Sequence, residues 1–267
     1  MIRAFLILLS GLYVTSAAAE KPVLALVIDD LGYSFDQARQ VLNLPGQHTY
    51  AIIPSTTYAK KIAQFAYQNG REVILHMPMQ SAIGRKIEDS ALHESMSEDE
   101  ITKSVAEMIH DMPQIKGVNN HMGSRLTELG YVMRPVMETM KQLHSGLYFL
   151  DSRTTPLSKA YQQALRAGVP TLKRDVFLDF DHINPESIEF QITRWQKKAD
   201  NKGYAVAIGH PHQTTIDLLQ QALPESLDHY QYMTLSQLIE FNQQEPSTWP
   251  RYLSHLQQDS KNSKPSP

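Results

Sequence analysis

Six consecutive apolar residues, Val23-Leu24-Ala25-Leu26-Val27-Ile28, run directly into two carboxylates, Asp29 and Asp30. A strand that is apolar at every position is covered on both faces, the condition of a parallel sheet flanked by helices. The same punctuation recurs down the chain. Short strand-like segments at 47–53, 72–75, 116–120, 147–150, 169–172, 204–208 and 232–234 each break off abruptly. Helical patterns lie between them. Ser34 opens one to Leu42, and Ser55 is expected to cap another over 58–69. Ser97 and Glu100, three apart, form a capping-box signature for a helix to about Met112. Further helices are expected near 131–144, 158–167, 214–222 and 236–242. After Pro185, the spacing of Ile188, Ile192, Trp195 and Ala199 marks the buried stripe of one more.

About eight strands in alternation with helices imply a parallel α/β architecture. No GxGxxG or phosphate loop follows the first strand, so nucleotide binding has no support. Reactive residues ending several different strands favour a closed or partly closed (β/α) barrel, whose chemistry sits at the strands' C-terminal ends. Adjacent strand residues face opposite ways, so Asp29 and Asp30 can take different jobs. A helix cap needs only one of them and would stand nearer Ser34.

A chain of 267 residues supports one substantial domain, taken as 20–245. The net charge of −3 has no basic block behind it, which argues against nucleic acid as a partner. With no cysteine, any metal must be held by His and carboxylate. Residues 1–19 read as a signal peptide: Arg3, an apolar run over 4–14, then Ala17-Ala18-Ala19 before Glu20. That run, interrupted by Ser10 and Gly11, is short for a membrane span; an uncleaved anchor is the competing reading. The expected location is outside the cytoplasm, periplasmic if the cell has an outer membrane. Residues 246–267, rich in Pro, Ser, Lys and Gln, read as a disordered tail.

The positions of the 11 histidines sort them. His110 and His144 fall in helices, His255 in the tail, His93 and His229 in loops, and His48 at a strand start. His76, His121, His210 and His212 stand where strands give way to loops, as do Asp29, Asp30, Asp151 and Asp175. Two His and one carboxylate are a standard catalytic set for zinc, and the remaining groups supply an acid and a base. The pattern reads as a metal hydrolase.

VIDDLG, GREVILHMPMQ, NNHMGS, LDSRT and AIGHPHQTTIDLL, in this order, resemble the motifs of the NodB-homology polysaccharide deacetylases. The closest likeness is to their divergent, YibQ-like branch, over about 22–241. The resemblance implies an irregular or partly open barrel of seven to eight strands. It carries the catalytic base to Asp29 and a metal ligand to Asp30. His76 matches the first His of the family's paired motif, but Gln80 stands in place of the second; His121 is the expected replacement ligand. Asp30, His76 and His121 would then hold a divalent metal, with Zn²⁺ the expected ion. His210 becomes the leaving-group acid. Asp151 and Asp175 become carboxylates that orient or tune the catalytic His, with Arg174 pairing with either. His212, Arg174 and Ser124 are the expected substrate contacts. The implied substrate is an N-acetylated sugar of a polysaccharide or peptidoglycan-type glycan; protein partners are not readable.

Two rivals stand beside a deacetylase. A non-catalytic envelope protein that keeps the barrel and metal for glycan binding or regulation fits the lost second His, but needs neither base nor acid. A two-metal phosphoesterase would need Asp151 and Asp175 as extra ligands.

Overall fold

The computed structural model describes residues 21–144 and 146–244. The expected signal peptide and tail, with Trp249 and His255, lie outside them. The strands are β1 (Val23–Leu31), β2 (Thr49–Ile52), β3 (Glu72–Met79), β4 (Gly117–Met122), β5 (Tyr148–Asp151), β6 (Thr171–Lys173), β7 (Val176–Phe177), β8 (Tyr204–Gly209) and β9 (Gln231–Tyr232). The helices are α1 (Phe35–Leu42), α2 (Ala59–Gln68), α3 (Glu98–His110), α4 (Gly130–Leu143), α5 (Ala160–Ala167), α6 (Pro185–Lys202), α7 (Gln213–Ser226) and α8 (Leu235–Gln244).

The strands pair in the order β6-β5-β4-β3-β2-β1-β8-β7, with β9 added on β1. All these pairings are parallel. β6 and β7 therefore lie at opposite ends of the sheet, yet only Arg174 and Asp175 separate them in sequence. Three residue steps reach at most about 11 Å, so the sheet must curl until its ends nearly meet. At this seam the Arg174 N–H donates to Asp151 of β5 (3.0 Å) and the next N–H, of Asp175, to Val206 of β8 (2.8 Å). The result is a partly open (β/α) barrel.

Side-chain parity sorts the apolar residues into two layers. Val23, Ala25 and Val27 of β1 join Ala51, Ile74, Tyr148, Leu150, Leu172, Val206 and Ile208 in the interior. Leu24, Leu26 and Ile28 face the helices instead. The unbroken apolar run of β1 thus serves two cores. Trp195, with Ile188, Ile192 and Ala199, forms the buried stripe of α6, and its indole N–H finds the Ala205 carbonyl at 2.9 Å. The capping box of Ser97 and Glu100 is formed at α3. Ser55 does not cap α2: it has φ +64°, and Tyr58 takes the N-cap position.

Helix α8 contributes Leu235, Leu238 and Ile239 to the barrel interior. Its first turn is held by the buried Glu72, whose carboxylate accepts from Thr49 Oγ1 (2.9 Å), Tyr148 OH (2.7 Å), and the Ser236 N–H and hydroxyl. The Tyr148 ring lies across Gly117, where a Cβ would come within 2.5 Å of it. Removing the carboxylate strands several buried donors at once. Glu72→Ala is therefore expected to cost about 2–4 kcal/mol in urea unfolding. A cost below about 0.5 kcal/mol would refute the anchoring role.

Candidate metal centre and acid–base pair

Interior parity carries the β1 series Val23, Ala25, Val27 on to Asp29, which is buried at the strand's end. Asp30 would face the helices by the same rule. Its φ of +58° breaks the alternation and aims the carboxylate at the mouth. Ser34, not either aspartate, caps α1, accepting from the Gln37 N–H. Among the described residues four non-glycine positions have positive φ: Asp30, Ser55, Met122 and Arg153. All four follow or end a strand on this one rim. Backbone strain of this kind collects where a site re-aims its side chains.

On β3 the interior series runs from Ile74 to His76. On β4 the register sets Asn119 beside His76 and His121 beside Pro78. Paired residues of parallel strands share a face, so Asn119 and His121 also point inward. Three donor atoms meet there. Asp30 Oδ1 lies 3.1 Å from His76 Nε2 and 2.9 Å from His121 Nδ1, and the two ring nitrogens are 3.2 Å apart. An ion with bonds of 2.0–2.1 Å and tetrahedral geometry needs ligand atoms about 3.3 Å apart, so this triangle fits a zinc-like ion. His121 reaches the triangle from the strand next to the one that carries His76. Gln80 does not enter it: its side-chain carbonyl accepts from the Glu94 N–H at 2.8 Å and pins the loop after β3.

That loop brings in Glu88, which the sequence did not single out. One Glu88 oxygen accepts from the Tyr33 hydroxyl; the other is buried with no hydrogen bond and lies 3.8 Å from His121 Nε2. A carboxylate behind the outer nitrogen of a metal-binding His is the usual second partner of such a ligand.

Across the triangle, His210 follows the interior series Val206, Ile208 of β8. Its Nε2 is 3.9 Å from Asp30 Oδ2, and its Nδ1 donates to Asp179 Oδ1 at 2.9 Å. The second Asp179 oxygen accepts from the His210 N–H (2.6 Å) and Thr215 Oγ1 (2.9 Å). Burial opposes charge on the imidazole, but Asp179, then Asp30 and Asp29, outweigh it and raise His210 to about 9. Asp179 is held low: burial raises it, and His210 more than reverses that. Burial pushes Asp29 up, only partly offset by His76 and His210. Asp30 is driven far down, burial being overcome by its hydrogen bonds to His121 and His76.

The remaining expected site residues fall elsewhere. Asp175 does not orient His210. It precedes the two-residue strand β7, which has no periodic signal in the sequence, and it binds Lys202 Nζ (2.6 Å) and the Val206 N–H. Asp179, two residues past β7, holds the His210 ring instead. Asp151 pairs beside Lys173 on the face opposite the interior residue Leu150, and accepts from Ser158 Oγ (2.9 Å) and the Arg153 N–H. Arg174 pairs with neither aspartate through its side chain: its guanidinium donates to the Ser152 and Arg153 carbonyls and lies over the Phe177 ring. Ser124 accepts from the Ala82 N–H, joining two rim loops. His212 stacks on His182, a histidine not singled out above, with ring centroids 4.1 Å apart. Tyr33 and Tyr58, on rim loops, and Tyr131, in the first turn of α4, are exposed, and Phe180, after β7, is 89% exposed.

Comparison with known proteins agrees with the layout. Residues 26–239 match a family model described as divergent polysaccharide deacetylase. The uncharacterized protein YibQ of Escherichia coli strain K12 is 36% identical over 228 residues, which are 85% of this chain and 70% of that protein. An uncharacterized protein from Agrobacterium tumefaciens C58, of solved structure, superposes with a TM-score of 0.73 at 21% identity, covering 83% of this chain and 91% of its own. The peptidoglycan deacetylase PdaC from Bacillus subtilis superposes with a TM-score of 0.53 at 16% identity, over 87% and 97% of the two chains. At such identities the two structures speak for the fold and for nothing finer.

Proposed function

The chain belongs to the divergent polysaccharide deacetylase family, and from that premise we propose that it is a metal-dependent hydrolase that removes acetyl groups from an N-acetylated glycan of the cell envelope. One observation carries the reading: a buried carboxylate and a carboxylate-bound imidazole flank a three-donor triangle on a single rim. Asp30, His76 and His121 would hold the ion, with Zn²⁺ the proposed metal. A divalent cation there supplies Lewis acidity, polarising a carbonyl and acidifying water. Asp29, its basicity raised by burial, takes the proton of the attacking water. His210, charged at neutral pH through Asp179, gives its proton to the departing amine. The exposed Tyr33, Tyr58, Tyr131 and Phe180 offer flat faces on which sugar rings can stack. The signal-like residues 1–19 support export, to the periplasm in a cell with an outer membrane.

The test is elemental analysis of the purified chain beside acetate release from N-acetylated oligosaccharides and peptidoglycan fragments. About one metal per chain is expected, lost in His121→Ala and kept in Gln80→Ala. No metal after reconstitution with zinc would overturn the reading.

A further inference from the structure

Between the proposed base Asp29 and the proposed ligand His76 lies Asn119. We infer that Asn119 is a positioning residue whose one amide couples the two halves of the site, fixing the His76 tautomer from the Asp29 carboxylate. The inference rests on the metal-site reading of Asp30, His76 and His121.

Asn119 is completely buried, on the same rung of the sheet as His76. Its Nδ2 lies 2.9 and 3.2 Å from the two Asp29 oxygens and 3.2 Å from Ser152 Oγ; its Oδ1 lies 2.7 Å from His76 Nδ1. These four contacts admit one orientation. To act as the base Asp29 must start ionised, and an ionised carboxylate only accepts, so the amide NH₂ faces Asp29. The carbonyl oxygen then faces His76, which must place its proton on Nδ1. On a neutral ring Nε2 is then left with its lone pair toward the triangle, open to an ion; only a ring that carries a second proton donates from Nε2 to Asp30 Oδ1, at 3.1 Å. A flipped amide would set its oxygen against Asp29 and its N–H against His76 Nδ1, forcing the proton to Nε2 and closing that nitrogen to a metal.

A carboxylate, the commoner partner of a ligating His, would serve His76 equally well. It would fail at Asp29, where it would set two anions about 3 Å apart. Only a side chain that accepts on one side and donates on the other satisfies both neighbours, and in Asn119 those two functions sit on one rigid plane. Ser152 fixes that plane from a third direction.

The two functions separate by mutation. Zinc affinity is measured by chelator competition, kcat and KM on an acetylated oligosaccharide, and the His76 tautomer by ¹⁵N spectra at a pH where the ring is neutral. Asn119→Ala is expected to weaken zinc binding by about 10–100-fold and to mix the tautomers. Asn119→Asp, which still accepts from His76 Nδ1, is expected to keep zinc affinity within about threefold and lose at least tenfold in kcat, with KM little changed. Thermal melts establish that both variants fold. An Nε2–H tautomer in the wild type, or equal zinc affinity in Asn119→Ala and wild type, overturns the inference. So does equal loss of zinc affinity in the two folded variants. If the wild type takes up no zinc, the metal reading fails, and the ring-nitrogen spectra alone decide whether Asn119 sets the tautomer.

Discussion

Asp29→Asn is expected to lower kcat by on the order of 10³-fold while leaving zinc affinity within about threefold of wild type. The separation follows from where Asp29 stands. It ends the interior series of β1, is almost wholly buried, and approaches His76 Nε2 no closer than 3.6 Å, outside the triangle formed by Asp30, His76 and His121. Burial, aided by the neighbouring Asp30 charge and only partly offset by His76 and His210, raises its proton affinity. An amide of the same shape keeps an oxygen for the Asn119 N–H but cannot accept a proton from water. Initial rates and chelator competition on the same preparations check the prediction. A loss below tenfold would mean that another group removes the proton, and a matching loss of zinc would make Asp29 a ligand instead.

The pair Asp29-Asp30 was legible in the sequence because a both-face-buried strand leaves no ambiguity about where it ends. The strand-end histidines were legible for the same reason, and so was the α6 stripe with Trp195 at its centre. What stayed hidden depended on facts that periodicity does not encode. The two-residue strand β7 has too few residues for any alternation, so Asp175 read as a strand end and Asp179 passed unmarked. Register decided Asp151: it falls one residue beyond the interior Leu150, on the helix-facing side, a parity set by pairing with β6. Ser55 read as a cap from residue type alone, whereas its left-handed backbone serves the rim. Asn119 and Glu88 carry neutral or commonplace side chains at positions whose meaning comes only from neighbours far away in sequence. One structural signal gathers the site without chemistry: the four positive-φ residues that turn the chain at the ends of β1, β2, β4 and β5.

Asp179→Asn is expected to cut kcat by about 10²–10⁴-fold and to move the alkaline limb of the rate profile to lower pH. The Asp179 side chain is fully buried, and its two oxygens are committed to His210 Nδ1, the His210 N–H and Thr215 Oγ1. It therefore both aims the ring and supplies the anion that, against the effect of burial, raises His210 to about 9. A general acid must begin the step protonated, so wild-type activity should fall as pH rises through about 9. With the anion gone, burial prevails, the ring loses its proton at lower pH, and the limb follows. Stability obeys the same linkage. The folded His210 value lies above the ordinary 6.5, so its stabilising contribution is complete below that pH and disappears as pH rises through about 9. Asp179 is depressed below 3.8, so its contribution is complete above that value and is lost as pH falls below it. The wild type should thus exceed Asp179→Asn in melting temperature most clearly between about pH 4 and 6.5, and the gap should narrow above pH 9. A variant that loses activity with its alkaline limb unmoved would remove His210 from the acid role and leave Asp179 a packing residue.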